Sequence, residues 1–98
     1  MEKEINLLSS IREIDEDAFS GCKSLVSIAL PESISEIGIG VFSGCTSLVS
    51  INIPKLVAEI HSFTFEDCIA MKPFETQAQI DDFAFVGCPQ FPSLYSEL

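Results

Sequence analysis

A repeat with a step of 23 residues constrains the fold of this chain more than any other feature of its sequence. Phe19, Phe42 and Phe65 follow one another at this step, and a cysteine stands three residues after each of them. Further apolar columns keep the same step: Ile14, Ile37 and Ile60; Leu25, Leu48 and Met71; Ile28, Ile51 and Phe74. Recurrence in so many columns indicates a solenoid of stacked repeats, and the alternative is a compact α+β domain with coincidental spacing.

The step changes toward the end of the chain. Phe85 follows Phe65 by 20 residues, so three residues are missing between Phe74 and Ile80, where we expect an irregular connection. The 98 residues are too few for two independent cores. We therefore expect a single solenoid over residues 1–98, with about four repeats, the last one shortened, and no separate capping domain.

Each repeat combines a short strand with tight turns. The pattern Leu25-x-x-Ile28-x-Leu30 ends in alternation, which is typical of a strand with one buried face, and Pro31 ends that strand. The segment from Val41 to Cys45 predicts a tight turn or a short helical piece. Stacking of the repeats would align the strands in parallel and turn the apolar columns into continuous interior ladders.

The second repeat shows the motif in full: Leu30-Pro31-x-x-Ile34-x-x-Ile37-Gly38-x-x-Val41-Phe42-x-x-Cys45-x-x-Leu48-x-x-Ile51. This motif resembles the repeat of the BspA-like leucine-rich repeat family, which is found mainly on bacterial surface proteins. The resemblance implies a β-rich or α+β repeat solenoid, a right-handed superhelix of short parallel strands and tight turns. It also implies an adhesion or protein-binding scaffold at the cell surface or secreted.

Charge and hydropathy exclude several classes of function. Fifteen acidic and five basic residues give a net charge of −10, which argues against binding nucleic acid or an anionic membrane surface. No apolar run approaches the roughly 20 residues that span a bilayer, so we expect no membrane insertion. The start, Met1-Glu2-Lys3-Glu4, lacks the basic and apolar regions of a secretory signal.

The chain contains no convincing catalytic, metal or cofactor motif. It has no phosphate-binding glycine loop, nucleophile elbow or His-Glu-x-x-His sequence, so we expect no enzyme activity and no cofactor. His61, Glu59 and Cys68 could be drawn as a thiol protease site, but their columns differ, and a solvated turn histidine is favoured.

The four cysteines share one column, which favours core thiols over disulfides or a metal site. We expect Cys22, Cys45 and Cys68 to be shielded from solvent. Glu13, Glu36 and Glu59 also share a column, which predicts stacked carboxylates with few cations near them.

The residues that alternate with the buried strand positions form the candidate protein-binding face. They are Asn6, Ser27, Ala29, Ser50, Asn52, Pro73 and Glu75. Solenoids bind partners on such extended faces, although this one lacks Tyr, Trp and Arg. We expect a non-enzymatic protein-interaction module with an unidentified protein partner. The alternative is a structural spacer within a longer array.

The strands predicted at the two ends offer a further route to association. The segments Ile5-Asn6-Leu7 and Leu94-Tyr95-Ser96 would be edge strands with unpaired backbone groups. Self-association through these strands is therefore possible, against the repulsion of the net negative charge.

Overall fold

Short strands joined by tight turns make up the computed structural model, which describes residues 4–91 of the chain. In chain order the strands are β1 (Glu4–Asn6), β2 (Glu13–Ile14), β3 (Ser27–Ala29), β4 (Glu36–Ile37), β5 (Ser50–Ile51), β6 (Glu59–Ile60) and β7 (Gln79–Ile80). No helix occurs in residues 4–91, so the predicted turn or helical piece at Val41–Cys45 is a turn. The predicted end strand at Leu94–Ser96 lies outside the described residues.

The strands form two rows, and every pair in them is parallel. We call the first row, in the order β1-β3-β5, the sheet side, and each turn of the solenoid a rung. Its register matches Ile5 with Ile28 and Ile28 with Ile51, which is the repeat step read from the sequence. Parallel strands that pair at the repeat step confirm the solenoid prediction.

The second row, with the turns that follow each strand in it, is the turn side. There β2 pairs with β4 and β6 pairs with β7. Between β4 and β6 the turns carry the connection, because the N–H groups of Gly40, Phe42 and Gly44 donate to carbonyls of the next rung at 2.7–3.2 Å. Backbone hydrogen bonds therefore join successive rungs on this side from β2 to β7.

A ladder of phenylalanine rings runs through the core. Phe42 lies between Phe19 and Phe65, with ring centroids 5.8 and 5.6 Å apart and ring planes within 8° of parallel. Phe85 continues the stack at 5.2 Å from Phe65, and Phe91 follows at 4.1 Å from Phe85. The spacing and near-parallel planes are those of stacked rings, so the columns seen in the sequence are physical contacts.

The cysteines form a second ladder beside the rings. Each thiol donates a hydrogen bond to the carbonyl of a phenylalanine one rung earlier: Cys45 to Phe19 at 3.2 Å, Cys68 to Phe42 at 3.1 Å and Cys88 to Phe65 at 2.9 Å. All four cysteines are free thiols. The prediction that Cys22 is shielded is wrong, since its side chain is partly exposed; among the described residues, its rung has a full neighbouring rung on one side only.

Two positions of the turns adopt the left-handed backbone conformation, the first in three turns and the second in all four. The first is held by Asp17, Gly40 and Phe63, with φ between 59° and 68°, and the second by Gly21, Gly44, Asp67 and Gly87. A side chain on Gly40 would be strained by its φ and would also contact the Asp17 carboxylate. Gly21, Gly44 and Gly87 each stand directly before a cysteine, where the chain bends closely.

The shortened repeat affects the sheet side alone. Residues 73–78 contain no strand, as the missing residues predicted, and Phe74 turns inward to meet Phe65 and Phe85, each at 5.8 Å. On the turn side, β7 still pairs with β6, with Glu59 opposite Gln79 and Ile60 opposite Ile80. The chain therefore crosses the sheet side with fewer residues and returns to register on the turn side. We call residues 73–78, which make this crossing, the shortcut.

Candidate binding faces

Four residues of the predicted binding face lie where the sequence placed them. Asn6, Ala29 and Ser50 are exposed on neighbouring strands of the sheet side, and Ser27 is partly exposed between them. Ser27 pairs directly with Ser50, so the two hydroxyl-bearing positions stand side by side. The strands around them line a shallow, open depression formed by residues 27–29 and 50–52. The side chains of these four residues are small, and none of the four is charged.

Asn52 belongs to the same face, but its amide group already has partners. Its side-chain oxygen accepts from the Leu30 N–H at 3.0 Å, and its side-chain nitrogen donates to the Leu30 carbonyl at 2.9 Å. This two-way bond continues the pairing of the sheet just past the end of β5. Asn52 therefore acts first as a structural residue that ties two rungs together.

Pro73 and Glu75 are exposed, but they do not extend the sheet as the sequence predicted. Pro73 takes the position that Ser50 holds one repeat earlier and has no N–H with which to continue the ladder. The last backbone bond here runs from the Lys72 N–H to the Val49 carbonyl at 3.0 Å. Beyond it lies a groove, which is lined by residues 53–55, 57 and 75–78.

The three residues of the hypothetical thiol protease site are not brought together. The His61 ring lies on the turn side, where Nε2 is 2.8 Å from the Glu36 carboxylate. The Cys68 thiol instead points into the core and donates to the Phe42 carbonyl. His61 thus contacts Glu36, the middle member of the predicted row of stacked carboxylates.

Burial makes the core thiols poor nucleophiles. It raises the pKa of the Cys45 thiol to about 11 and that of the Cys88 thiol to about 11, from an ordinary value of 9.0. The pKa of Cys68 is also raised, first by burial and then by the neighbouring thiols of Cys88 and Cys45. Since the thiolate is the reactive form, these cysteines serve as small apolar core residues.

The described residues hold no cluster of three or more His, Cys, Asp or Glu side chains arranged to bind a metal ion. Nor does the described part of the chain contain a helix with the length and hydropathy that a bilayer crossing requires.

An exposed aromatic pair on the turn side was missed by the sequence analysis. The rings of Phe63 and Phe83 stack with centroids 6.2 Å apart, yet the two residues are 40% and 45% exposed. They occupy the column that begins with Asp17 and Gly40, and Phe63 shares the left-handed φ of both. Asp17 was the available signal, because a charged residue in a column indicates that the column faces solvent.

The sequence model of the BspA type leucine rich repeat region, built for six copies of the repeat, matches residues 2–96. The chain belongs to this family. Its repeats are therefore BspA-type leucine-rich repeats, and the resemblance carried by the Phe, Cys and Leu-Pro columns is confirmed. Among curated proteins, none matches the chain.

Three solved structures share the fold of this BspA-type chain. A leucine rich cell surface protein from Faecalibacterium prausnitzii is 29% identical over 91% of the chain, with a TM-score of 0.80. A leucine-rich repeat protein from Bacteroides ovatus is 31% identical over 87% of the chain, with a TM-score of 0.81. The Leucine Rich Repeat protein of T. pallidum is 34% identical over 89% of the chain, with a TM-score of 0.80.

These relatives are longer than the BspA-type chain described above. It covers 24% of the F. prausnitzii protein, 25% of the B. ovatus protein and 44% of the T. pallidum protein. The leucine-rich repeat is a non-enzymatic repeat fold, and domains of this kind generally mediate protein interactions.

Proposed function

We propose that this chain is a non-enzymatic protein-interaction module of the bacterial cell surface, and that it contributes to adhesion by contacting a protein partner. The observation that carries the proposal is the exposed face of three parallel strands in register on the sheet side. Solenoids offer extended faces of this kind to partners, with each rung adding one strip of contact. The surface setting is supported by the F. prausnitzii relative, which is described as a cell surface protein.

The contact residues in this proposal are Asn6, Ser27, Ala29 and Ser50, with Pro73 and Glu75 at the margin beyond the last strand. Small side chains let a partner approach the strands closely, and the hydroxyl and amide groups offer hydrogen bonds. The partner would therefore be a polar protein surface with its own large side chains, since this face supplies no aromatic or arginine anchor.

A purely structural role is the second candidate, and Asn52 favours it. Its amide makes both of its hydrogen bonds to Leu30 and so joins two rungs. A sheet side whose polar groups serve the stack would make this segment a spacer that sets the distance between other binding segments.

Matched substitutions at two exposed alanines separate these candidates. Ala29 lies on the sheet side, whereas Ala58 is exposed just before β6 and outside the sheet side. A photo-crosslinking residue at position 29 should capture a partner from bacterial or host-cell surface extracts, and one at position 58 should not. The captured protein, once purified, should bind the parent chain and lose that binding in Ala29→Arg while keeping it in Ala58→Arg. Capture at neither position would contradict binding through this face and support the spacer role.

A further inference from the structure

We propose that the turn side carries a second docking surface, which binds a cationic peptide segment with apolar side chains. The surface, which we call the turn face, consists of residues 15–17, 38–40, 61–63 and 81–83. It is separate from the sheet side, so the proposal stands independently of the function proposed above.

The charge of the chain is concentrated on this side. Residues 13–22, 36–45, 59–68 and 79–88, which run from each turn-side strand to the next cysteine, hold ten of the fifteen acidic residues and none of the five Lys and Arg residues. Nine of these ten side chains are exposed, and Glu66 is half-buried. The potential of such a surface is negative and attracts cationic partners.

Exposed apolar groups lie within the same surface. Besides the stacked pair of Phe63 and Phe83, Ile39 is 45% exposed in the neighbouring column. Backbone bonds fix the order of the rungs, because the Asp17 N–H donates to the Ile39 carbonyl and the Phe63 N–H to the Phe83 carbonyl. The aromatic pair thus occupies the third and fourth rungs of an acidic strip.

Carboxylates border the aromatic pair at both ends. Asp17 lies two rungs before Phe63, and its carboxylate lies against Gly40 in the rung between them. At the other end, Asp81 accepts a hydrogen bond from the Phe83 N–H at 2.8 Å, and Asp82 is exposed beside it. A lysine or arginine of a bound peptide could pair with these carboxylates while its stem, or a neighbouring apolar side chain, covers the rings.

The backbone conformation at Phe63 is unusual for its residue type. Its φ of 61° lies in the left-handed region, which is unfavourable for a bulky residue, whereas Asp17 and Gly40 fill the same position in the earlier rungs. Strain of this kind concentrates at functional sites, and the strained residue here presents an aromatic ring to solvent.

The charge also selects among possible occupants. Two copies of the chain that met through their turn faces would bring like charges together, and nucleic acids and anionic lipids carry the same sign of charge. A cationic segment with apolar side chains is complementary to both the carboxylates and the rings, so its binding should weaken as salt is added.

The test uses a short acetylated and amidated peptide in which lysine alternates with leucine, with binding followed by amide chemical shifts in NMR spectra of the whole chain. The expected result is saturable binding, with shifts in residues 61–63 and 81–83 and none at 27–29. Peptides that alternate glutamate with leucine, or lysine with serine, should bind more weakly. Equal binding of either control peptide, or shifts centred on the sheet side, would overturn the proposal.

Variants of the chain separate binding from folding. Phe63→Asn keeps a residue that tolerates a left-handed φ, so it should melt within a few degrees of the parent, yet its affinity for the peptide should fall at least about fivefold. Phe83→Ser, at a position without that strain, should give a similar loss. The control is Leu56→Ser, which removes a more exposed apolar side chain (61%) outside the turn face and should leave affinity unchanged.

Two outcomes would overturn the proposal at this stage. One is that both phenylalanine variants bind the peptide as tightly as the parent. The other is that the parent forms dimers in sedimentation which Phe63→Asn and Phe83→Ser abolish, because the occupant of the turn face would then be a second copy.

Discussion

On the turn side, β6 and β7 remain paired even though the repeat step has fallen from 23 to 20 residues, whereas on the sheet side pairing ends at β5. The same loss of three residues therefore affects the two sides differently. Turn-side backbone bonds tie every rung to the next, and the Phe and Cys ladders lie beside them. The sheet side adds only two or three residues per rung, so shortening it costs less than breaking a ladder.

The nature of the core explains why the shortcut is tolerated. Phe74 contacts Phe65, Phe85 and Phe91 at ring-centroid distances of 5.8–5.9 Å and covers them where a further strand would otherwise lie. Aromatic side chains bury large areas. The Phe74 ring can therefore replace the apolar surface that Ile51 and Ile53 supply one rung earlier. Contacts within the Phe and Cys ladders therefore hold the rungs together across the shortened repeat, and strand pairing on the sheet side is not needed there.

The largest expected effect is at the centre of the ring ladder. Phe42→Ala removes a fully buried ring stacked on both faces and should lower the free energy of unfolding by about 3–5 kcal/mol. Phe74→Ala, at the half-buried shortcut, should cost less than about 3 kcal/mol by the same argument. Urea melts of both variants measure these losses. A larger loss of free energy of unfolding in Phe74→Ala than in Phe42→Ala would contradict the contrast between the two sides.

A smaller effect is expected where two turns approach closely. A Cβ at Gly38 would stand 2.7 Å from the backbone nitrogen of Glu16, which cannot move aside as a flexible side chain can. Gly38→Ala should therefore cost about 1–3 kcal/mol. Ser50→Ala on the exposed sheet side is the control and should change stability by no more than about 0.5 kcal/mol. Thermal and urea melts that show no cost at Gly38 would mean that the turns are less tightly stacked than the structure has them.

These contrasts show what the sequence could and could not predict. The repeat step predicted the ring and cysteine ladders, because a fixed step places like residues in contact in any solenoid. It failed at Pro73 and Glu75, where the lost N–H and the missing residues end the sheet. Phe63 and Phe83 were missed because each stands two residues from a core phenylalanine, and only Asp17 in their column indicates that the position faces solvent. The partner of His61 depends on a side-chain conformation that spacing does not determine.

The alkaline stability of the chain tests whether the fourth rung is packed like the second. Burial raises the pKa of both Cys45 and Cys88 to about 11, above the ordinary value of 9.0 that applies to the unfolded chain. Between these values the unfolded chain has released thiol protons that the folded chain retains, so stability is full below pH 9.0 and falls as the pH rises toward about 11.

Single alanine variants of the two cysteines provide the measurement. Melting temperatures recorded from pH 8 to pH 11 should fall less steeply in Cys45→Ala and in Cys88→Ala than in the parent, and by similar amounts. A change of slope in the first variant only would show that the shortened repeat loosens the turn side as well.

The smallest expected effect concerns side chains that bridge β4 and β6, where the strands themselves do not pair. Glu36 and His61 are 2.8 Å apart and both are solvent-accessible, so their coupling in a double-mutant cycle should not exceed about 1 kcal/mol. Glu36→Gln and His61→Asn, alone and together at low salt, provide that cycle. A coupling well above this value would show that side chains, rather than the backbone hydrogen bonds of the turns, hold these two rungs together.

Hydrogen exchange of individual backbone amides tests the central claim most directly, because it reports both sides of the solenoid in one experiment. On the turn side, Phe65 and Asp67 donate across the shortened repeat to the Ala84 and Val86 carbonyls, each at 2.9 Å. On the sheet side, the amides of residues 74–77 have no hydrogen-bond acceptor among the described residues. We predict slow exchange at Phe65 and Asp67 and fast exchange throughout 74–77. Protection within 74–77, or fast exchange at Phe65 and Asp67, would contradict the account.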